Sequence, residues 1–233
     1  MMDYAVLILS AAIGGGIGYF FHNNNLFCKR LLMFSAGLLL TITVLEMFPM
    51  LYQNHGGIGI NAGIWIIAGV GLQLVLESLS KGIEHGHVHH HHENENVVPL
   101  SVMFGLFVHS FLDGMPIEAQ AHTHEHLHLL WALAVHKIPE TIVLSAFLFT
   151  LRIPKSYAFG VLLLFVFSAP LGAWLGTFLS LDFYLKMTGI VAGIFLHISS
   201  IIIFESNEKH NLNKQKLFFV FLGIFAGWLL TLS

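Results

Sequence analysis

Eight long apolar runs restrict what this chain can fold into. A helix that crosses the roughly 30 Å hydrocarbon core of a bilayer needs about 20 predominantly apolar residues. Such runs lie near residues 4–21, 31–52, 60–80, 98–118, 127–150, 156–180, 184–204 and 217–232. Short connections that hold most of the Asn, His, Lys and Glu join them. The sequence predicts an all-α membrane protein in which residues 1–233 form a single domain of eight transmembrane helices.

Composition excludes several other classes of protein. Only 10% of the residues are Asp, Glu, Lys or Arg and 56% are hydrophobic, whereas average soluble domains carry roughly 25% charged residues. Too few polar side chains remain for a soluble enzyme or a disordered chain. The net charge of −3 offers no basic field for nucleic acid. The single cysteine, Cys28, excludes an intramolecular disulfide and a CxxC metal knuckle.

The basic residues predict the orientation of the spans. Eight of the ten Lys and Arg residues fall in the first, third, fifth and seventh connections, and connections rich in Lys and Arg stay cytoplasmic. We therefore expect both termini outside and a His-rich cytoplasmic loop at residues 81–97. The first run follows Met1-Met2-Asp3 without a basic segment, so we expect a retained helix and not a signal peptide. The expected location is a plasma membrane, which is the inner membrane in a Gram-negative bacterium.

Two segments suggest an internal repeat. Residues 36–42 of the second span read AGLLLTI, and residues 192–198 of the seventh span read AGIFLHI. The predicted topology runs these two spans in opposite directions, and an inverted repeat of this kind is typical of secondary transporters. Chance similarity between two apolar helices is the alternative interpretation.

Ionisable residues interrupt the fourth and fifth spans. Residues 109–116 read HSFLDGMP and residues 136–140 read HKIPE. A charged group at the bilayer centre costs about 2.5–3.5 kcal/mol on insertion scales, so three unpaired charges would cost on the order of 8–10 kcal/mol. That penalty is comparable with a typical folding stability of about 5–15 kcal/mol. Asp113, Lys137 and Glu140 must therefore face one another, water or a bound ion.

The spacing of these residues indicates a metal site. His109 and Asp113 are four residues apart, as are His136 and Glu140, so each pair shares one face of its helix. Two imidazoles and two carboxylates suit a borderline divalent ion such as zinc or iron.

Nearby prolines favour the same interpretation. Pro116 and Pro139 each free a backbone carbonyl within their span, and transporters place ion sites at interrupted helices near the middle of the membrane. The alternative is a buried salt-bridge network in which Lys137 neutralises Asp113 or Glu140.

These motifs resemble those of the ZIP family of divalent metal transporters. That family has eight spans, both termini outside, a His-rich loop between the third and fourth spans, and the motifs HNxxDG and HExPHE. Here the fourth span reads HSFLDG and the fifth reads HKIPET. The resemblance implies a transport site of His109, Asp113, His136 and Glu140. Glu140 stands where the fifth-span motif usually has its second His.

In many members of the family the motifs resemble a two-metal site, and this chain departs from that pattern. The positions that correspond to a second metal site are Ser110, Lys137 and Ala169, so its amide and acidic ligands are absent. Our hypothesis is that the Lys137 ammonium takes the place of a second metal and leaves a site for one ion.

Further histidines and acids are candidates for auxiliary metal capture. In the 81–97 loop, which we interpret as an acceptor or sensor for metal leaving the pore, they are His85, His87, His89, His90, His91 and His92. Around the fourth connection, which could collect metal at the entrance, they are Glu118, His122, His124, His126 and His128. A solvated loop and an ordinary polar turn are the respective alternatives. Glu46 could line the entrance, and His197 is more often a packed residue than a ligand.

Together these features predict a secondary transporter that moves Zn²⁺ into the cytoplasm by alternating access. The same ligands accept Fe²⁺, Mn²⁺, Co²⁺ and Cd²⁺. We expect no prosthetic group and no nucleic-acid partner, with the metal ion and the lipid bilayer as partners and a homodimer left open. The sequence lacks GxxxxGK[ST], so gradients would supply the energy. The alternatives are a non-transporting metal sensor and an intramembrane zinc hydrolase, although HExxH is also missing.

Overall fold

The computed structural model describes residues 2–21, 25–53, 59–80, 100–118, 125–205 and 214–232. Within these ranges all of the regular secondary structure is helical. The helices are α1 Met2–Phe21, α2 Asn25–Ile42, α3 Phe48–Gln53, α4 Gly59–Ser80, α5 Leu100–Glu118, α6 Glu125–Thr150, α7 Lys155–Gly176, α8 Leu181–Glu205 and α9 Lys214–Leu230. A π-helical segment, Thr43–Met47, joins α2 to α3 without a break, so the two helices form one predicted span.

Seven helical segments are long and apolar enough to cross a membrane. The eighth candidate, α9, has 17 residues and is about 26 Å long at 1.5 Å per residue. The prediction of an all-helical protein is therefore confirmed, and seven or eight helices are long and apolar enough for the eight predicted spans. Large apolar side chains also cover much of the outer surface, as is typical of proteins that meet lipid. On α7 and α9 they include Leu163, Leu164, Leu171, Phe218 and Phe221.

Some helix ends differ from the predicted spans. Lys29 and Arg30 lie within α2, although the sequence placed them in the first connection. Arg30 Nη2 donates a hydrogen bond to Gln215 Oε1 of α9 at 3.2 Å. Hydropathy identifies only the apolar part of a helix. The helix itself can extend further where its polar side chains form hydrogen bonds. The sixth span was predicted to end at residue 180, whereas α7 ends at Gly176.

Glycines bring the helices together in four close pairs, α1 with α6, α5 with α7, α2 with α9 and α4 with α8. In each pair a glycine lies against a carbonyl oxygen of the partner helix, and a Cβ atom there would collide with it. These glycine contacts are Gly14 on Ile138, Gly172 on Phe111, Gly37 on Val220 and Gly193 on Ile66. Small residues thus set the helix spacing.

The pairs form two groups of helices. We call α1, α5, α6 and α7 the motif bundle, because α5 and α6 carry the HSFLDG and HKIPET motifs. The second bundle comprises α2, α3, α4, α8 and α9. The glycine contacts between helices that the structure describes all lie within one bundle or the other. Contacts between the bundles run mainly from α2 to α6, from α4 and α8 to α5, and from α9 to α6.

Candidate metal site

The facing sides of α5 and α6 bring the four predicted ligands together. His109 and Asp113 come from α5, and His136 and Glu140 come from α6, and all four are buried. One ligand atom from each residue lies within 4.8 Å of the other three. Two ligands of one tetrahedral zinc ion, each about 2.1 Å from it, would be roughly 3.4 Å apart. The four side chains therefore lie close enough to converge on a single ion if the cluster contracts by about 1 Å.

The individual distances show that the two helices face each other across the site. His109 Nε2 is 3.4 Å from Asp113 Oδ2 and 3.5 Å from Glu140 Oε1. His136 Nε2 is 3.9 Å from Glu140 Oε2. The two imidazole rings are nearly perpendicular, at 83°, with centroids 6.4 Å apart. Each helix thus contributes one nitrogen and one carboxylate to a common centre.

Lys137 also reaches into this centre. Its Nζ donates to Asp113 Oδ2 at 2.9 Å and to Glu140 Oε2 at 2.6 Å, and only 1% of the residue is exposed. The same ammonium lies 5.7 Å from the centroid of the Phe165 ring. Both interpretations that the sequence left open therefore share one location, because the salt-bridge network uses the carboxylates that would bind a metal.

The other two positions of the hypothetical second site are buried but hold no acid. Ser110 Oγ lies 2.6 Å from Ser168 Oγ, which in turn lies 2.6 Å from the Phe165 carbonyl oxygen. Ala169 is buried, and its carbonyl group lies where a Cβ of Gly114 would stand. These two positions therefore offer a hydroxyl pair and an alanine in place of an amide and an acid.

Sequence reasoning missed one residue at the site. Ser35 of α2 places its Oγ 2.7 Å from His136 Nδ1, and both residues are buried. The two residues are 101 positions apart along the chain, so no motif links them. The only available signal was that Ser35 immediately precedes the AGLLLTI segment.

The auxiliary candidates are described only in part. The residues that lie outside the described ranges are His85, His87, His89, His90, His91, His92, His122 and His124. Nothing is described of the side chains of Glu118 and His126. His128 Nδ1 lies 2.6 Å from Glu46 Oε1, and both side chains are partly exposed. That contact joins α6 to the π-helical segment of the second bundle.

His197 is not a lone histidine. Its Nε2 lies 2.9 Å from Glu77 Oε2, so the pair links α8 to α4 within the second bundle. The metal-ligand cluster found among the described residues does not include this pair. A packed, hydrogen-bonded role for His197 therefore agrees with the structure.

Comparison with known families identifies the chain. The family model described as "ZIP Zinc transporter" matches residues 76–232. The match takes in the end of α4 and all of α5 to α9, and it includes the four clustered residues. A comparison with curated proteins found no match. Because the family match covers well over half of the sequence, the chain belongs to the ZIP zinc transporter family, whose members transport divalent metal ions and are not enzymes.

Proposed function

We propose that the protein is a secondary transporter that moves a divalent transition-metal ion, with Zn²⁺ as the expected ion, into the cytoplasm. The cluster of His109, Asp113, His136 and Glu140 carries this proposal. Imidazole ligands favour Zn²⁺, and Fe²⁺, Mn²⁺, Co²⁺ and Cd²⁺ after it, over Mg²⁺ and Ca²⁺, which prefer shells made of oxygen.

The site holds one ion at a time. Asp113, Glu140 and Lys137 together carry a charge of −1 without metal, +1 with one divalent ion and +3 with two. A charge of +3 in a buried site would be strongly repulsive. The Lys137 ammonium already bridges the two carboxylates, which supports its role as the substitute for a second metal.

Lys137 also gives the metal-free site a partner for its acids. Burying two uncompensated carboxylates is costly, and removing one member of a buried ion pair typically costs about 3–5 kcal/mol. When a metal ion binds Asp113 and Glu140, the ammonium shares these carboxylates with it, and after the ion leaves the ammonium alone neutralises them. The empty transporter can therefore reset without exposing bare carboxylates to an apolar interior.

The division of the helices into two bundles supports alternating access as the transport mechanism. The metal ligands belong to the motif bundle, and glycine contacts join helices tightly within each bundle. Relative motion of the bundles would then carry the ion from one face to the other without separating those close pairs. Ser35 and Glu46 of the second bundle contact His136 and His128 across the boundary.

The arrangement of the helices supports the inverted repeat. Exchanging α1 with α7, α2 with α8, α4 with α9 and α5 with α6 turns each close helix pair into another close pair. The same exchange relates the AGLLLTI and AGIFLHI segments, whose glycines pack on α9 and α4 respectively. It also relates His109 to His136 and Asp113 to Glu140.

The remaining predictions complete the proposal. Both termini would lie outside a plasma membrane, and the 81–97 loop would accept metal on the cytoplasmic side. Glu46, His128 and the neighbouring histidines of the fourth connection would collect metal at the outer entrance. The Glu46–His128 contact and the Ser35–His136 contact both cross the boundary between the two bundles, which supports a path along that boundary.

Uptake of radioactive zinc by proteoliposomes tests the transport function. We expect saturable uptake by the wild-type protein and at least a hundredfold loss in His136→Ala and Glu140→Gln. Thr188→Val is the matched control, because within the described part of the chain the buried Thr188 hydroxyl bonds only to the Tyr184 carbonyl of its own helix. Zinc binding without uptake by the wild-type protein would instead favour a sensor.

Metal titration of the purified protein tests the number of ions. We expect one tightly bound zinc per chain. The double variant Ser110→Asn/Lys137→Glu, which restores an amide and an acid at two second-site positions, should bind a second ion. Two tight ions at α5 and α6 of the wild-type protein would contradict the single-ion site.

A further inference from the structure

The two ring nitrogens of His136 lie in different surroundings. Nδ1 faces Ser35 Oγ at 2.7 Å. Nε2 points into the cluster, 3.9 Å from Glu140 Oε2, and has no hydrogen-bond partner among the described residues. Nε2 is therefore the nitrogen that would reach an ion, and Nδ1 is the nitrogen that the protein holds from behind.

The protonation pattern of this ring decides whether it can bind a metal. A neutral imidazole carries a proton on one nitrogen and a lone pair on the other. When Nδ1 carries the proton, Nε2 presents its lone pair to the site. In the opposite tautomer an N–H group would point at the ion position and block ligation. A serine hydroxyl oxygen accepts a hydrogen bond from Nδ1–H in the first case and donates to Nδ1 in the second.

We propose that Ser35 is a positioning residue for the metal site. Its hydroxyl oxygen accepts the hydrogen bond from His136 Nδ1–H and so holds the tautomer and ring orientation in which Nε2 receives the ion. This inference rests on the proposed metal-binding function. It agrees with the general behaviour of metal-ligating histidines, whose second nitrogen usually donates to a fixed acceptor.

The position of Ser35 gives the contact a second consequence. Ser35 belongs to α2 in the second bundle, whereas His136 belongs to α6 in the motif bundle. The Phe195 ring of α8, also in the second bundle, lies 6.0 Å from the His136 ring. The second bundle thus orients a ligand that it does not carry. The zinc affinity of the site depends on how the two bundles are arranged.

Zinc titration of purified variants tests the role of Ser35. Ser35→Ala removes the acceptor and should weaken zinc binding by about 10- to 100-fold, which is the usual effect of losing such a partner. Ser35→Thr keeps a hydroxyl and should recover most of the affinity. Ser10→Ala is the matched control, because the one hydrogen bond described for the Ser10 hydroxyl goes to the Leu7 carbonyl of its own helix. That control should bind zinc as the wild-type protein does.

Nitrogen NMR of the metal-free protein provides an independent measurement. With ¹⁵N-labelled histidine, and with His136→Asn used to identify the signals, we expect a protonated Nδ1 and an unprotonated Nε2. Ser35→Ala should show a mixture of tautomers. A merely structural role for Ser35 would change thermal stability without changing this ratio.

Two results would overturn the inference. One is a folded Ser35→Ala protein with wild-type zinc affinity, and the other is a protonated Nε2 in the metal-free wild-type protein. If the wild-type protein bound no zinc, the proposed function would fail. The spectrum is recorded without metal, so it would still decide the tautomer on its own.

Discussion

The α5 half and the α6 half of the site have the same spacing of ligands, but different residues stand beside their histidines. Each of α5 and α6 presents a histidine and an acid four residues later, and each packs on a glycine-bearing helix through the residue two positions after its histidine. The residue directly after the histidine differs, since it is Ser110 on α5 and Lys137 on α6. The two helices therefore share the same spacing of histidine and acid, whereas the residue beside each histidine differs in charge.

The second bundle is asymmetric in the same way. In the proposed repeat, the alignment of AGLLLTI with AGIFLHI makes Val191 of α8 the counterpart of Ser35 of α2. Val191 is buried and has no hydroxyl group to offer a histidine. A hydroxyl group from α2 therefore contacts the histidine of the α6 half. The counterpart position on α8 has no hydroxyl group that could do the same for the α5 half.

The largest expected difference between the halves is the loss of stability when the residue after each histidine is replaced. Lys137→Met should destabilise the metal-free protein by about 3–5 kcal/mol, because two buried carboxylates lose their counter-charge. Ser110→Ala should cost only about 1 kcal/mol, the usual contribution of one hydrogen bond. Unfolding in detergent measures both. Added zinc should restore most of the stability of Lys137→Met, and equal losses in the two variants would contradict the comparison.

The glycine contacts should break both halves alike. Gly172→Val and Gly14→Val each place a side chain against a carbonyl group of the partner helix, and overpacking of this kind typically costs about 1–3 kcal/mol. Thermal unfolding should show similar losses for the two variants. Gly160→Val is the control, because no described atom outside its own stretch of helix lies within 4 Å of a Cβ at that position. A large loss in only one of the two variants would argue against the repeat.

Zinc affinity should also distinguish the halves, but here the Lys137 substitution should strengthen binding, whereas it weakens stability. Lys137→Met removes a positive charge that repels the ion and competes for its ligands, so zinc should bind at least ten times more tightly, which is about 1.4 kcal/mol. Ser110→Ala should leave the affinity unchanged. Isothermal titration measures both. Uptake by Lys137→Met should nevertheless slow, because tight binding delays release, and faster uptake would oppose the role assigned to the lysine.

The smallest effect is expected at the hydroxyl pair. Ser168→Ala removes the partner of Ser110 and should reduce stability by about 1 kcal/mol. Zinc affinity should not change, because neither hydroxyl contacts the four clustered ligands in the described hydrogen bonds. A fall in zinc affinity would show that the α5 half has a polar support comparable with that of Ser35.

The sequence predicted what depends on local spacing. Apolar runs predicted the spans, and the four-residue separations predicted that His109 would share a face with Asp113, and His136 with Glu140. Both inferences need only the geometry of a single helix. The helix ends were less accurate, as Lys29 and Arg30 show, because polar contacts between helices extend α2 beyond its apolar run.

Contacts between distant helices could not be predicted in this way. The Ser35–His136 and His197–Glu77 contacts depend on which helices pair and at what height, and helical periodicity contains neither fact. The π-helical segment that carries Glu46 is likewise set by its surroundings. The double bridge of Lys137 depended on how a long, flexible side chain would bend, which its position on the helix does not determine.

The covalent attachment of the Lys137 ammonium bears on the discrimination between monovalent and divalent ions. A tethered group competes at an effective concentration that dilution of the surrounding solution cannot lower. Sodium or potassium would bring the carboxylates no more charge than the resident ammonium already does, and would have to shed bound water to do so. A dipositive ion brings twice that charge. In the proposed transport cycle the lysine thus favours divalent over monovalent ions. Only a divalent ion brings the carboxylates more positive charge than the ammonium already provides.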